Sequence, residues 1–377
     1  MSVHLFDPRH AKETDWPMQN LLERAYLTEV AKAGVSQMIN NVHTEWQALR
    51  SGEKVFPVTI NYGEYGGSYV CLPHSAYVLY GRQELDIIDM GRWTPLLKML
   101  ISWIDKCLRW ADINRIIHVD NWLLSTNLHG NWSGADLPDI RKFITDKFPN
   151  HILAVRSVDT WSSPELLNAA QSDGWTLLPS RQIWVTNDMK RWKQKNSTRN
   201  DARLLRNSSL EIGPITSLRR GDAARIADLY HQLYVGKYSP LNPIFTKDYV
   251  RTTFESGLFH YHGARAQDGK LMAVCGSFER GGILTPPIVG YDTNRSKKDG
   301  LYRIACYLFN QHCLDKGFRL NGSAGASDFK KCRGALPVTE YSAIYVNHLS
   351  RKRRIALKTF AWALRRFLVP EMRKREL

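Results

Sequence analysis

The chain contains few cysteines, no long apolar run and too few acidic residues to balance its basic ones. Its six cysteines are scattered, without the C-x-x-C spacing of zinc sites or an evident disulfide framework. No apolar run approaches the roughly 18 residues that span a bilayer, and the first residues lack the pattern of a cleavable leader. We therefore expect reduced cysteines, no metal site, no transmembrane segment and a cytoplasmic location.

The excess of basic residues is concentrated in two short segments. Residues 190–206 contain seven basic residues against the single acid Asp201, and residues 351–375 contain ten basic residues; together they carry most of the net charge of +16. Such concentration favours docking to a polyanion such as RNA, to an acidic carrier protein or to an anionic lipid face, although solvated helix faces give the same pattern. The candidate polyanion contacts are Arg199, Arg203, Arg206, Arg351, Arg353 and Arg354.

Length and the order of predicted elements favour two α/β domains. A chain of 377 residues, 43% of them hydrophobic, can bury more than one core. Strand and helix patterns alternate from about residue 55, starting with strands at 56–62 and 68–72 that we expect to form a hairpin. The predicted regions are a helical accessory region at 1–54, a first domain at 55–189, a basic linking helix at 190–208, a second domain at 209–348 and a basic helix at 349–377.

Two segments repeat the same order of features. A helix, a glycine and an aromatic residue precede Leu178-Pro179, which leads into a strand ending in Trp184-Val185. The same order precedes Leu336-Pro337 and the strand ending in Tyr345-Val346. This repetition indicates a degenerate internal duplication.

A turn of small residues followed by a short basic helix stands out in the second half. The turn 323–326 leaves backbone amides unshielded, and the next residues can cap a helix that carries Lys330 and Arg333. The run 338–346 is β-branched and aromatic, which predicts a strand that carries Glu340 past the turn. Anionic or carbonyl groups of a ligand would suit this turn.

The pattern Ser-x-Gly-x-x-x-Phe-Lys, followed by Arg-Gly-Ala and a closing strand, resembles the second domain of the GNAT-like acyltransferases related to the Fem-type, tRNA-dependent peptidyltransferases. The resemblance spans most of the chain from about residue 55 and includes a basic linking helix with arginines three or four residues apart. It implies an α/β fold with two tandem GNAT-like domains, each a mixed sheet flanked by helices. It also implies transfer of an acyl or aminoacyl group to an amine, with formation of an amide bond.

One loop departs from the GNAT pattern. In that family the pyrophosphate loop of coenzyme A carries two small residues at a helix N-terminus, whereas residues 295–301 contain only Gly300. This disfavours coenzyme A, although Lys297, Lys298 and Arg303 keep the capacity to bind phosphate in another form. Because the tRNA-dependent relatives also lack the standard loop, aminoacyl-tRNA is slightly favoured over acyl-CoA or an acyl-carrier thioester as co-substrate. No covalently bound cofactor is expected.

Three residues are candidates for the chemistry. Lys330 matches the Phe-Lys position of the family and should offset charge that grows on the donor in the transition state. Glu340 is the nearest carboxylate in sequence that can take the proton of the amine, with Asp292 as its competitor. The alternative is that Glu340 only pairs with Lys330 or Arg333. A small-molecule or peptide amine is expected to contact Tyr234, Lys237, Tyr238, Asn242, Tyr291, Ser323 and Arg333.

The sequence leaves a function of a different class open. The chain would then be a non-catalytic module that binds RNA or a carrier protein on a transferase scaffold. The C-terminal helix, basic with substantial apolar surface, also fits contact with a membrane surface. His260 and His262 lie on one face of a predicted strand, and without a third ligand nearby they favour ordinary strand residues over a metal site.

Overall fold

A twelve-stranded mixed sheet forms the centre of the computed structural model, which describes residues 2–17, 21–87 and 94–375. The strands, in chain order, are β1 (Val3–Phe6), β2 (Glu45–Ser51), β3 (Lys54–Tyr62), β4 (Arg115–Val119), β5 (Ile152–Val158), β6 (Thr176–Thr186), β7 (Glu211–Pro214), β8 (Phe259–Arg265), β9 (Leu271–Arg280), β10 (Ile283–Tyr291), β11 (Arg319–Asn321) and β12 (Leu336–Tyr345).

Helices cover this sheet. The α-helices are α1 (Leu21–Ala33), α2 (Val35–Met38), α3 (Tyr80–Ile87), α4 (Thr94–Trp110), α5 (Leu137–Lys147), α6 (Pro164–Ser172), α7 (Met189–Gln194), α8 (Asn196–Arg206), α9 (Asp222–Tyr230), α10 (Lys247–Glu255), α11 (Leu301–Asp315), α12 (Ser327–Lys331), α13 (Arg351–Ala363) and α14 (Val369–Arg375). Short π-helical segments at Ser75–Leu79, His231–Tyr238 and Leu364–Leu368 extend three of them. The predicted basic helix at 349–377 corresponds to α13, the π-helical segment after it and α14. Residues 376–377 of that prediction lie outside the described residues.

The strand order joins the two halves of the chain. Across the sheet it runs β1-β2-β3-β4-β5-β12-β6-β11-β10-β9-β8-β7. The last strand, β12, lies between β5 and β6 of the first half and is antiparallel to both. The predicted α/β class, a mixed sheet flanked by helices, is confirmed. The two halves share one continuous sheet, and the proposed domain boundaries remain a prediction.

The two repeated sequence segments are neighbours in the sheet. They form β6 and β12, which pair antiparallel with Pro337 opposite Trp184 and Ile344 opposite Thr176. Near the middle of this pair Glu340 lies opposite Arg181. The duplication noted in the sequence therefore corresponds to two adjacent strands at the junction of the halves.

The N-terminal region differs from the sequence prediction. Besides helices, it contributes β1 and β2 to the sheet, and β3 pairs with β2 through a tight turn at Gly52. The predicted hairpin between 56–62 and 68–72 is wrong, because residues 68–72 form turns rather than a strand. Their apolar side chains are instead buried in the core, which requires no strand partner.

The described residues contain no helix that combines the length and the apolar character needed to cross a membrane. Over the same part of the chain, no cluster of three or more His, Cys, Asp or Glu side chains is arranged to hold a metal ion. All six cysteines are free thiols.

Candidate active site

A cleft of about 160 Å³ opens where β6, β10 and the turn after β11 meet the helical segment 231–238. Ten of the residues that line it are aromatic, and six of these are tyrosines: Tyr69, Tyr80, Tyr230, Tyr234, Tyr238 and Tyr302. Enclosed ligand pockets for drug-sized molecules have volumes of roughly 300–1,000 Å³. The cleft therefore suits a small group, such as an acyl or aminoacyl moiety, with the bulk of a larger donor outside it.

The turn of small residues forms one wall of the cleft. Ser323 and Ala326 adopt left-handed backbone conformations, with φ of 58° and 51°, which non-glycine residues rarely do. Ala326, rather than the expected Ser327 or Asp328, is the N-cap of α12. The resulting reversal brings Lys330 back over the turn, where its Nζ donates to the carbonyl oxygens of Ser323 at 3.1 Å and Ala324 at 2.7 Å. The turn thus presents two of its carbonyls to Lys330.

Lys330 lines the cleft and is an unusual lysine. Desolvation by its surroundings lowers its pKa to about 7; Cys306 partly opposes this shift, and the nearby Arg181 guanidinium adds a still smaller lowering effect. Near neutral pH the side chain is therefore available both as an ammonium and as a free amine. An amine that titrates near the working pH is suited to proton transfer.

An ion pair across β6 and β12 supports the same wall. Arg181 Nε donates to Glu340 Oε1 at 2.8 Å and its Nη2 donates to Oε2 at 3.2 Å. The same Nη2 contacts the carbonyl of Ser125 and donates to the hydroxyl of Thr126 at 2.7 Å. Arg181 lines the cleft, whereas Glu340 is buried behind it, 2% exposed, with both oxygens engaged. Glu340 thus pairs with Arg181, not with Lys330 or Arg333.

A hydrogen bond between two hydroxyl groups links the Arg181–Glu340 pair to the turn 323–326. The hydroxyl of Thr126 donates to the hydroxyl of Ser323 at 3.0 Å, and the carbonyl of Ser323 accepts from Lys330. Polar groups from both halves of the chain therefore form one connected network around the cleft. Such networks hold their members in fixed orientations when every group is satisfied.

Arg333 also lines the cleft but is held from behind. Its Nε donates to Asp201 at 2.8 Å, and Arg303 donates to the other oxygen of the same buried carboxylate at 2.6 Å. The guanidinium of Arg333 lies 3.4 Å from the ring centroid of Phe329. Asp201, the single acid of the basic linking segment, therefore pairs with two arginines from outside that segment.

The segment that carries the candidate contact residues Tyr234, Lys237 and Tyr238 is helical. The π-helical segment His231–Tyr238 continues α9, and it places Tyr234 and Tyr238 on the cleft. Asn242 also lines the cleft, but its amide donates to the carbonyls of Tyr234 and Ser239, and its oxygen accepts from Tyr69. These bonds show that Asn242 holds the end of the segment in place.

Three other predicted residues lie outside the cleft lining. Lys237 is exposed beside the ring of Tyr238. Tyr291 stacks at an angle on Tyr302 with the ring centroids 6.0 Å apart. Asp292 accepts from Arg225 at 2.7 Å and from the amide of Asn294 at 3.1 Å.

The loop that would hold coenzyme A in GNAT proteins is closed on itself. The amide of Lys298 donates to the Ser296 hydroxyl, and the amides of Asp299 and Gly300 donate to carbonyls within the loop. A Cβ on Gly300, where φ is 65°, would clash with the side chain of Leu204 on α8. Gly300 therefore serves packing between α11 and α8, while the exposed Lys297 and Lys298 lie on the surface beside it. The amides of Lys298, Asp299 and Gly300 are therefore already engaged within the loop.

The two basic segments pack on different parts of the molecule. Arg199, Arg203 and Arg206 line a shallow groove on α8, which packs on α11. At the C-terminus, α13 packs on α4 and β6. Arg353 donates to the carbonyls of Ala111, Asn150 and Asp112, and Arg354 donates to that of Asn347, while Arg351 is exposed. Arg353 and Arg354 thus fix their own helix.

Sequence reasoning missed several residues that define the cleft, chiefly Arg181 and Thr126 from the first half. The repeated Leu-Pro segments carried a signal for Arg181, since pairing those two strands brings it opposite Glu340. It also missed Trp184 and Trp192, whose buried indole nitrogens have no hydrogen-bond partner within the described ranges although both residues line the cleft.

No family model matches the sequence, and no curated protein sequence matches it. Solved structures to which the chain is similar include FemX, with 9% identity and a TM-score of 0.49 over 92% of this chain and 98% of that one. A tandem GNAT protein from the clavulanic acid biosynthesis pathway has 8% identity and a TM-score of 0.39 over 91% and 98%. L-PGS from Bacillus licheniformis has 11% identity and a TM-score of 0.43 over 59% and 77%.

Proposed function

We propose that this protein is an acyltransferase that moves an acyl or aminoacyl group from an activated donor to an amine and forms an amide. The observation that supports this most is Lys330, whose amine has a pKa of about 7 and lies in a small aromatic cleft. Amide formation requires two positioned substrates, removal of a proton from the attacking amine and stabilisation of an oxyanion. A lysine that titrates near neutrality can serve the last two requirements in turn.

In this proposal Lys330 begins as the free amine and accepts the proton of the attacking substrate nitrogen as the new C–N bond forms. The resulting ammonium then lies beside the carbonyl oxygen that has become negative, and it offsets that charge. When the C–O or C–S bond to the donor breaks, the proton passes to the leaving oxygen or sulfur. The carbonyls of Ser323 and Ala324 keep Nζ in place throughout.

Arg181 and Glu340 have supporting roles in this scheme. Glu340 has both oxygens bound to Arg181 and does not line the cleft, so we assign it to positioning Arg181 rather than to proton transfer. Asp292 is paired with Arg225 outside the cleft and has no direct role. Arg181, which lines the cleft, repels a second positive charge and thereby helps to keep the pKa of Lys330 low.

We favour aminoacyl-tRNA as the donor. The cleft holds only a small group, and the basic groove of α8 offers phosphate contacts outside it. The side chain of Lys195, at the start of α8, packs against Gly334 just after α12, so this basic helix adjoins the cleft wall. The closed loop 296–300 disfavours coenzyme A.

The test measures discharge of donors by the purified protein. Bulk aminoacyl-tRNA with labelled amino acids and labelled acetyl-CoA are each incubated with the protein and a mixture of small amines and peptides. We expect protein-dependent transfer from aminoacyl-tRNA, with a rate that rises through about pH 7 as Lys330 loses its proton. Replacing Lys330 by methionine should lower the rate by about 10²–10³.

The matched control is Lys331→Met, because Lys331 belongs to the same short helix and does not line the cleft. It should discharge the donor at the wild-type rate. Saturable binding to coenzyme A without binding to tRNA at moderate salt would overturn the proposed donor. Binding of tRNA without turnover of any donor would instead support the non-catalytic module.

A further inference from the structure

Helix α4 carries apolar side chains on its solvent face as well as on its inner face. Leu108 is buried, and Ile101 and Ile104 pack on the same core. The outer face carries Trp103, 64% exposed, and Trp110, 59% exposed. With their spacing of three, four and seven residues, the outward residues form one stripe along the helix: Leu96, Met99, Leu100, Trp103 and Trp110.

The C-terminal helices extend this apolar surface. Ile355, Trp362 and Phe367 are each more than half exposed, while Leu357 and Ala361 on the other side of α13 are buried in the core that α4 also covers. Both helices therefore lie on the same face of the sheet, and their outer sides point away from it together. A soluble surface rarely exposes so many large apolar side chains in one place without a partner.

Basic residues surround these apolar side chains. The segment 351–375 carries ten basic residues and one acid, and α4 carries three basic residues and one acid, Asp105. Asp105 is already engaged by His74, Arg82 and Arg109. Exposed cations such as Lys358 and Arg366 are therefore interspersed with exposed tryptophans.

We propose that the outer faces of α4 and α13, with the residues 364–368 that follow, dock the protein on an anionic phospholipid bilayer. Tryptophan and apolar residues enter the interface of a bilayer, while lysine and arginine are attracted to anionic headgroups. A second copy of the chain fits less well, because pairing two such faces would bring like charges together. Nucleic acid would engage the cations but leave Leu100, Met99 and Trp103 without apolar contact.

The experiment is flotation of the full-length protein with vesicles of phosphatidylcholine alone and with equimolar phosphatidylcholine and phosphatidylglycerol. We expect binding to the anionic vesicles and little to the neutral ones. The variant Trp103→Ser/Trp362→Ser should lower the partition coefficient by about tenfold or more, since it removes two interfacial anchors. The variant Lys358→Gln/Arg366→Gln should weaken binding to anionic vesicles to a similar degree.

Leu22→Ser is the matched control, because Leu22 is a 53% exposed apolar residue on α1, away from both helices. It should bind like the wild type. Equal binding to both kinds of vesicle, or unchanged binding of the double-serine variant, would overturn the proposal. So would a concentration-dependent dimer that the serine substitutions dissociate, since the face would then bind a second copy.

Discussion

Two largely buried arginine–carboxylate pairs of this molecule are both bidentate but have different surroundings. Arg265 donates to both oxygens of Asp222 at 2.9 and 2.6 Å, as Arg181 does to Glu340. The Arg265 pair lies at the start of α9, where the arginine also donates to the carbonyl of Gly269 in a hairpin turn. The Arg181 pair instead reaches the hydroxyl of Thr126 and the wall of the cleft.

The difference shows that a buried ion pair does not by itself indicate a functional site. A buried ion pair contributes little net stability, because desolvation offsets the attraction, but removing one partner is costly. The Asp222 pair fastens a helix to a turn, and its removal should affect folding alone. The Glu340 pair fastens a residue that faces the cleft, and its removal should affect both folding and transfer.

The largest effect is expected for Glu340→Ala. The substitution leaves the guanidinium of Arg181 buried without its carboxylate, and loss of one member of a buried pair costs about 3–5 kcal/mol of unfolding free energy. Urea denaturation measures this loss, and donor discharge at a temperature where the variant is folded should also fall.

The variant Glu340→Ala/Arg181→Met separates the pair from the individual residues. Because it removes the unpaired charge as well, it should recover part of the lost unfolding free energy but not the lost transfer activity. A double variant as unstable as Glu340→Ala would show that the loss does not come from an unpaired arginine. Full transfer activity of either variant would show that the Arg181–Glu340 pair is not part of the active site.

For the residues at the cleft, Lys330→Met should change how the unfolding free energy depends on pH. Burial lowers the pKa of Lys330 to about 7 in the folded protein, below the ordinary value of 10.5. Between these values the unfolded chain binds a proton that the folded chain does not, so this residue makes stability rise with pH. Lys330→Met should lack that rise, and its unfolding free energy should exceed that of the wild type most clearly below about pH 7. If the unfolding free energies of the two proteins changed with pH in parallel, the lowered pKa of Lys330 would be contradicted.

Much of the cleft could be predicted from the sequence because its elements are local. The turn 323–326, the helix that carries Lys330 and the strand that carries Glu340 all follow from small residues, spacing and β-branched runs, and they lie next to one another in the chain. Tyr234 and Tyr238 could be predicted as cleft residues even though their segment is helical, because they precede a turn that contains Pro240 and Pro243.

The partners of these residues could not be predicted, because strand register sets them over long separations. Arg181 and Glu340 are 159 residues apart and meet only because β12 is inserted beside β6. The role of Asp201 was obscured for the same reason, since its two arginines follow it by 102 and 132 residues. A charge count within one segment assigned Asp201 to neighbouring cations, whereas the fold pairs it with distant ones.

The smallest effect is expected for Asp222→Ala. Arg265 keeps its hydrogen bond to the carbonyl of Gly269, so the loss should be about 1–3 kcal/mol. Burial alone would raise the pKa of Asp222, but the hydrogen bonds and charge of Arg265, with the amide of Arg219, lower it overall. Its stabilisation is therefore present above the unfolded pKa of 3.8 and is lost as pH falls further. Urea denaturation at neutral and acidic pH should show a smaller gap between variant and wild type in acid, with donor discharge unchanged at neutral pH. A loss of discharge as large as that of Glu340→Ala would mean that the two pairs do not differ in function.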